Sequence, residues 1–343
     1  LTFDAKYILG DDTETVGYEE ESLIANTKII QRSGNVEDES NVLLQSDYVH
    51  PIGKEGKFET GVKTTLRTIN NKFKVEELQD DSWNVLSDFN DEMLYEENIY
   101  AAYVMAGNKT GHFSYQGGLR AEYSDILTEL LGSNVKNPRN YLNFFPSAHL
   151  SYELPKNNTI QLSYSRRLSR PQFWYLLPFF TYSDSRNIFT GNPNLDPEYT
   201  NAFEIGYLKS FEKGTLLSSI YYRHRTGVIE RIVLPKSDGT THMFPVNLST
   251  ENNWGLEFDF SYNIFEWWRL TANLNAFRAI TDGDYEGQTF ARDTYTWRTR
   301  TSTKFKLPYK IDLQTSFNYR APQNSTQGRR LSVYNWDMGV SKD

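Results

Sequence analysis

The chain has 343 residues, a formal net charge of −8 and no cysteine. Disulfides, thiolate metal sites and a cysteine nucleophile are excluded, and the acidic balance argues against nucleic acid, whose binders present a basic face. Aromatic residues reach 15% and charged residues 23%, with a negative mean hydropathy; no apolar run of about 18 residues exists, so no transmembrane helix is available. The sequence starts at Leu1 with no charged leader and apolar core behind it, and so reads as a mature or excised segment.

Period-two alternation predicts about fourteen strands. They lie near 1–9, 41–51, 57–74, 94–106, 111–124, 142–154, 159–167, 199–211, 214–234, 242–263, 267–281, 294–306, 310–321 and 330–342. Side chains on a strand point alternately to opposite faces. Along 144–154, Phe144, Pro146, Ala148, Leu150, Tyr152 and Leu154 oppose Phe145, Ser147, His149, Ser151 and Glu153. Along 254–264, Trp254, Leu256, Phe258, Phe260, Tyr262 and Ile264 oppose Gly255, Glu257, Asp259, Ser261 and Asn263. Near the C-terminal end, Ile311, Leu313, Thr315, Phe317 and Tyr319 oppose Asp312, Gln314, Ser316, Asn318 and Arg320.

A soluble sandwich also alternates, with its apolar face inward. The segment lengths, about 9–12 residues or more, instead suit tilted membrane strands. Polar faces mixing charges with Gly, Asn, Gln and Ser suit a wet lumen, and apolar faces ending in Tyr, Trp and Phe suit a lipid–water boundary. The connections sort by length. Tight turns at 52–56, 107–110, 155–158, 212–213, 265–266 and 307–309 alternate with mostly long loops at 10–40, 75–93, 125–141, 168–198 and 282–293. An outer-membrane barrel places tight turns on the periplasmic side and long loops outside. The fold expected is therefore all-β: an antiparallel, transmembrane up-and-down β-barrel forming one partial domain over 1–343. An open sheet cannot keep unpaired edges in lipid, so further strands are expected beyond both ends. The acidic 10–40 segment is expected to be a solvated, flexible loop.

Several phrases then carry a resemblance. Ser163-Tyr164-Ser165-Arg166-Arg167, Arg170-Pro171, Trp174, Leu177-Pro178-Phe179, Gly191-Asn192-Pro193-Asn194-Leu195, Pro197-Glu198 and Phe203-Glu204-Ile205-Gly206-Tyr207 follow in order. Upstream stand Asp47-Tyr48-Val49-His50-Pro51, Gly61-Val62-Lys63, Glu97-Asn98-Ile99-Tyr100-Ala101-Ala102-Tyr103, Gly118-Leu119-Arg120, Glu122-Tyr123 and Phe145-Pro146-Ser147. Over nearly its whole length the chain resembles the outer membrane protein β-barrel family related to TonB-dependent receptors. The resemblance implies about 14 strands of a 22-stranded outer-membrane barrel that takes up a large solute such as a siderophore or glycan. It also implies energy coupling to TonB through an N-terminal plug, which this sequence does not contain, and leaves room for a surface lipoprotein partner. The alternative on the same barrel is a non-transporting surface protein, an adhesin or assembly scaffold.

In the 168–198 segment, Arg170, Trp174, Asp184, Arg186, Asn192 and Asn194 are the candidate solute contacts: aromatics stack on rings, and Arg pairs with anionic groups. Pro171, Pro178, Pro193, Pro197 and Gly191 make turn formation the competing role, with Phe179 and Phe180 packing the loop down. Lys63, Arg67, Arg120, Glu122, Glu204, Glu257, Asp259, Arg298, Arg300 and Arg320 share the lumenal parity. They line a solute path, hold a plug, or form a solvated wall of cross-strand ion pairs. Arg167 falls in the same register, while Arg166 is placed to snorkel to an interface. No cofactor or metal site is expected, because His50, His112, His149, His224 and His242 fall in no metal-binding spacing. No nucleophile elbow is present. His149 with Ser147, Ser151 and Glu153 is the one hydrolase-like group, and neighbours along one strand do not converge as a triad does.

Overall fold

The computed structural model describes residues 1–22, 27–177, 187–237, 239–248 and 250–342. In chain order the first strands are β1 (Thr2–Ser22), β2 (Thr27–Ile52), β3 (Gly56–Gln79), β4 (Ser82–Thr110), β5 (Phe113–Leu130), β6 (Val135–Leu154) and β7 (Asn158–Ser169). A four-residue helix, α1 (Phe173–Leu176), precedes β8 (Asn187–Phe189), β9 (Glu198–Phe211), β10 (Gly214–Thr226), β11 (Ile229–Pro235) and β12 (Thr241–Asn247). The remainder are β13 (Thr250–Phe265), β14 (Trp268–Asp282), β15 (Asp284–Tyr285), β16 (Gln288–Thr289), β17 (Arg292–Leu307), β18 (Ile311–Arg320), β19 (Gln323–Ser325), β20 (Gly328–Arg330) and β21 (Val333–Lys342).

Fourteen of these form one up-and-down sheet, ordered β1-β2-β3-β4-β5-β6-β7-β9-β10-β13-β14-β17-β18-β21. Every neighbouring pair is antiparallel. The expected strands are all found, and the wall is open, with β1 and β21 at its edges. The tight turns also fall where alternation breaks. At Pro155-Lys156-Asn157, for example, Lys156 and Asn157 take φ of 61° and 59°.

The opposite ends depart from expectation. The β1–β2 ladder runs unbroken from Thr2↔Asp47 to Ser22↔Thr27, so most of the 10–40 segment is a long hairpin rather than an irregular loop. Likewise β3 and β4 pair out to Gln79↔Ser82, and β5 and β6 to Leu130↔Val135. Asp80 and Asp81, at φ 49° and 63°, close the β3–β4 hairpin as a two-residue turn, the left-handed pair that such hairpins require. Segments 214–234 and 242–263, each expected as one strand, are both split. Gly227 at φ +66° ends β10, a conformation that costs glycine little. The chain then folds inward as β11 and β12, which join β8 in a separate three-stranded sheet. Within 282–293, β15 and β16 form a small hairpin.

Candidate functional site

The two faces of the wall see different surroundings. On the outer face Leu256, Phe258, Ile220, Ile205, Phe144 and Val62 are all exposed. Large apolar side chains left open in a continuous belt have no place on a soluble monomer, but are what a lipid-facing wall presents. Rings stack along this face: Tyr222 lies 5.4 Å from Trp254 and Trp268 5.6 Å from Phe305. Gly255 on the inner face makes room for Tyr221, because a Cβ there would sit 2.3 Å from its ring. The Tyr221 hydroxyl then donates to Asn275 Oδ1 at 3.2 Å.

The inner face is polar and largely paired. Arg67 reaches Glu39 through two bonds of 2.6 and 3.1 Å. Asp259 accepts from Asn273 at 2.6 Å, and Glu257 from Asn273 and Asn275 at 3.3 Å each. Lys63 stands opposite Gln45, and Glu204 between Ser163 and Tyr221. Arg166 lies over the Tyr199 ring at 5.3 Å. Arg298 is directly opposite Arg320, with Arg300 opposite Asn318. None of these last three arginines has an ion-pair partner among the described residues. Directly opposed like charges destabilise a ladder, so this stretch of the inner wall favours a carboxylate or phosphate beside it. His149 stands between Gln116 and Ser163 in the ladder.

Toward the long ends of the hairpins the phase inverts. On β3 the inward residues Gly61, Lys63, Thr65 and Arg67 give way to Ile69, Asn71, Phe73 and Val75, all buried, while Lys72 and Lys74 turn outward and are exposed. On β4 and β5 the buried inward residues include the apolar Met93, Tyr95 and Ile126. These apolar positions form one cluster with Phe173, Leu176, Leu177 and Leu195, which are thereby folded into the barrel mouth.

Two ion clusters fasten this inward-folded layer. Arg170 bonds to Glu122 and, at 2.7 Å, to Ser124 Oγ, with Glu97 at 3.4 Å. Arg120 reaches the other Glu122 oxygen at 2.8 Å. Arg170 and Glu122, placed apart by sequence as a solute contact and a wall residue, are thus one group. In the second cluster Arg225 joins Glu198 at 2.6 Å and Glu251 at 2.9 Å, and Arg292 joins Glu251 and, at 3.3 Å, Glu230. Glu198 also accepts from the Ile229 amide at 2.6 Å, holding the start of β11. Burial pushes the Glu230 carboxyl above its ordinary value. Sequence reading missed this cluster. Its available signal was Glu251 sharing a parity with Glu257 and Asp259; the register that brings Arg225 and Arg292 to it is not visible in sequence.

Asn192 and Asn194 serve the turn that contains them. Asn192 Oδ1 accepts from the Asn194 amide at 2.9 Å, and Asn192 Nδ2 donates to Pro245 O at 3.1 Å. Asn137 Nδ2 donates to Asn194 Oδ1 at 3.0 Å and to Pro193 O at 2.7 Å. Asp184 and Arg186, with Phe179 and Phe180, lie outside the described residues. Trp174 remains exposed, its ring 4.0 Å from Tyr175 and 6.4 Å from Phe189. It borders a cavity of about 650 Å³ between the inward faces of β1–β3 and the folded-in layer. Phe73, Glu14, Glu37, Asn35, Asn71 and Arg231 are also in its lining.

A greasy belt outside, a paired polar wall inside and a mouth filled by the chain's own segments define an outer-membrane β-barrel. The chain belongs to the outer membrane protein beta-barrel family, whose model matches residues 1–343, and its place is the outer membrane. Among solved structures it is similar to the copper transporter OprC, with a TM-score of 0.67 at 12% identity, covering 98% of this chain and 53% of that one. It is similar to the ferric yersiniabactin uptake receptor FyuA from Yersinia pestis, with a TM-score of 0.61 at 12% identity, covering 98% and 51%. It is also similar to the ferric-catecholate import receptor Fiu from K12 E. coli, with a TM-score of 0.62 at 15% identity, covering 97% and 57%. The chain thus spans about half the length of these structures, and at such identities the likeness is one of fold. No curated protein sequence matches it.

Proposed function

We propose that the chain is the barrel portion of a TonB-dependent outer-membrane receptor that imports a large solute. The observation carrying this reading is the mouth. The described parts of 168–198 and the β8–β11–β12 sheet fold inward, fastened by two buried ion clusters, and among the described residues a lined cavity remains. An adhesin has no need of such a cavity. Solved structures of similar fold include receptors and transporters by name. In this reading TonB acts through a plug outside this chain, further strands cover the edges β1 and β21, and a surface lipoprotein is a further candidate partner. Arg298, Arg300 and Arg320, without an ion-pair partner among the described residues, meet acidic groups of whatever fills the lumen.

The test is import by cells with and without the gene. Loss of uptake of one labelled solute, with the wild-type uptake abolished by an uncoupler, is the expected result. Unchanged uptake of every solute, together with a loss of surface attachment, would instead establish the non-transporting surface protein.

A further inference from the structure

We infer that the outer face of β14 carries a site for one lipid with an anionic phosphate headgroup. Arg278 holds the phosphate, and an acyl chain lies over Ala276. The site goes beyond the import reading and stands whether or not the barrel transports a solute.

The strand register sets the depth of the site. Tyr164, Phe203, Tyr222, Trp254, Arg278 and Tyr295 stand directly across from one another on six neighbouring strands, all on the outer face. The next outer row toward the tight turns is wholly apolar: Leu162, Ile205, Ile220, Leu256, Ala276 and Trp297. The next row the other way is mostly polar: Arg166, Asn201, His224, Asn252, Ile280 and Asp293. Apolar, aromatic and polar rows in that order match the passage from hydrocarbon to headgroups. Arg278 thus stands at headgroup level, where a lipid-facing cation is tolerated.

Side-chain size gives the site its shape. Ala276 is the one small residue of the apolar row, set between Leu256 and Trp297, and Arg278 above it stands between Trp254 and Tyr295. Farther down β14, Leu274 and Ala272 lie beside the larger Phe258 and Phe260 of β13. An apolar groove of about 690 Å³ results, within the range of about 300–1,000 Å³ that ordered small ligands fill. Its rims, Trp254, Leu256, Tyr295 and Trp297, are exposed. A flat wall offers membrane lipid no preferred position, whereas a trough with a cation at one end does.

Charge selects the headgroup. Arg278 donates to Asp293 through two bonds of 3.0 and 2.7 Å and lies over the Tyr295 ring at 4.9 Å. Both members of that ion pair are substantially exposed, and exposed pairs hold weakly. A phosphate offers the guanidinium the same two-point contact. Arg278 is the only cation among the described residues lining the groove, and Glu204, the only acidic one there, has the lumenal parity. An apolar trough with its one cation at the headgroup end complements a lipid whose charge sits at the end of its chains.

The test is native mass spectrometry of the full-length protein, purified in detergent and stripped of lipid. It is titrated with dioleoyl phosphatidic acid, with dioleoylglycerol, which has the same chains and no phosphate, and with dioleoyl phosphatidylethanolamine as the zwitterionic probe. Phosphatidic acid binds at one site, about tenfold or more tighter than dioleoylglycerol. Arg278→Gln abolishes that preference. Ala276→Trp, which fills the trough from the lipid side, weakens phosphatidic acid about tenfold. Asp293→Asn, which frees the guanidinium, tightens it about threefold.

Equal binding of phosphatidic acid and dioleoylglycerol overturns the site, as does a preference that survives Arg278→Gln. Affinity indifferent to Ala276→Trp overturns the groove. Tighter binding of phosphatidylethanolamine, weakened by Asp293→Asn, overturns the anionic headgroup. A dimer that Ala276→Trp dissociates, with no lipid retained, makes the groove a contact between copies and overturns the lipid assignment.

Discussion

The lower wall and the mouth are built from the same strands with opposite rules. Low on β3, Val62 faces out and is exposed, with Lys63 and Arg67 inward; one turn of the ladder higher, Ile69, Phe73 and Val75 face in and are buried, with Lys72 and Lys74 outward. Strand geometry is unchanged through the switch, since β3 is continuous from Gly56 to Gln79. What changes is the solvent. Where hydrocarbon lies outside and water inside, apolar residues must face out. Where water lies outside and the folded-in layer lies inside, they must face in. The phase inversion near Thr68–Ile69 therefore marks where the wall leaves the membrane.

The largest predicted effect falls on the link between the two regions. Glu122 belongs to the wall and Arg170 to the mouth, and both side chains are mostly buried. Glu122→Ala leaves Arg170 without its main partner, and breaking a buried pair costs about 3–5 kcal/mol. Chymotrypsin should then cut after Trp174 or Tyr175, in the segment that Arg170 fastens, at a rate well above wild type in folded, membrane-embedded protein. An unaltered rate would mean that the apolar cluster alone holds the segment.

A smaller effect separates the faces of one strand. Phe258→Arg, on the outer face midway along β13, should cost about 2–4 kcal/mol, as a cation at mid-bilayer does. Asp259→Arg, turned to the lumen, should cost about 1 kcal/mol or less. Unfolding titrations of the refolded protein in lipid vesicles measure both, and equal costs would break the distinction between the lipid-facing and lumenal sides of the wall.

The smallest concerns pH at the folded-in sheet. Glu230 lies on β11, off the wall, with its carboxyl raised first by burial and then by Glu251, against the lowering pull of Arg292, Arg225 and Arg330. A carboxyl raised on folding holds its proton more tightly in the folded state. Its contribution is therefore fully present below the ordinary glutamate value of 4.5 and is lost as pH rises through the folded value. Amide exchange at Ile232 should slow on mild acidification beyond the intrinsic pH effect, and Glu230→Gln should remove that dependence.

Fourteen strands were legible because each keeps period two. Their upper boundaries were not. Near 68–74 and 94–97 the apolar parity changes sides, so a continuous strand looks like one that stops. The inward excursion after Gly227 was hidden for a related reason: 229–234 and 242–247 are apolar enough to continue the neighbouring strands. Among candidate site residues, Trp174 and Arg170 were visible as large side chains set in a turn-rich segment. Glu122 was visible as a wall residue. Their roles were not, because Glu97, Ser124 and Glu122 come to Arg170 from two different strands. The cavity was invisible altogether, since Glu14, Asn35, Asn71 and Arg231 stand on β1, β2, β3 and β11 and meet only through register and inward folding.

Single cysteines introduced at Phe258 and at Asp259, in the protein embedded in outer membranes, test the two-solvent wall most directly. The account predicts that the Phe258→Cys thiol reacts with a lipid-soluble maleimide and resists a water-soluble one, and that the Asp259→Cys thiol does the reverse. Equal modification of both by the aqueous reagent would contradict it.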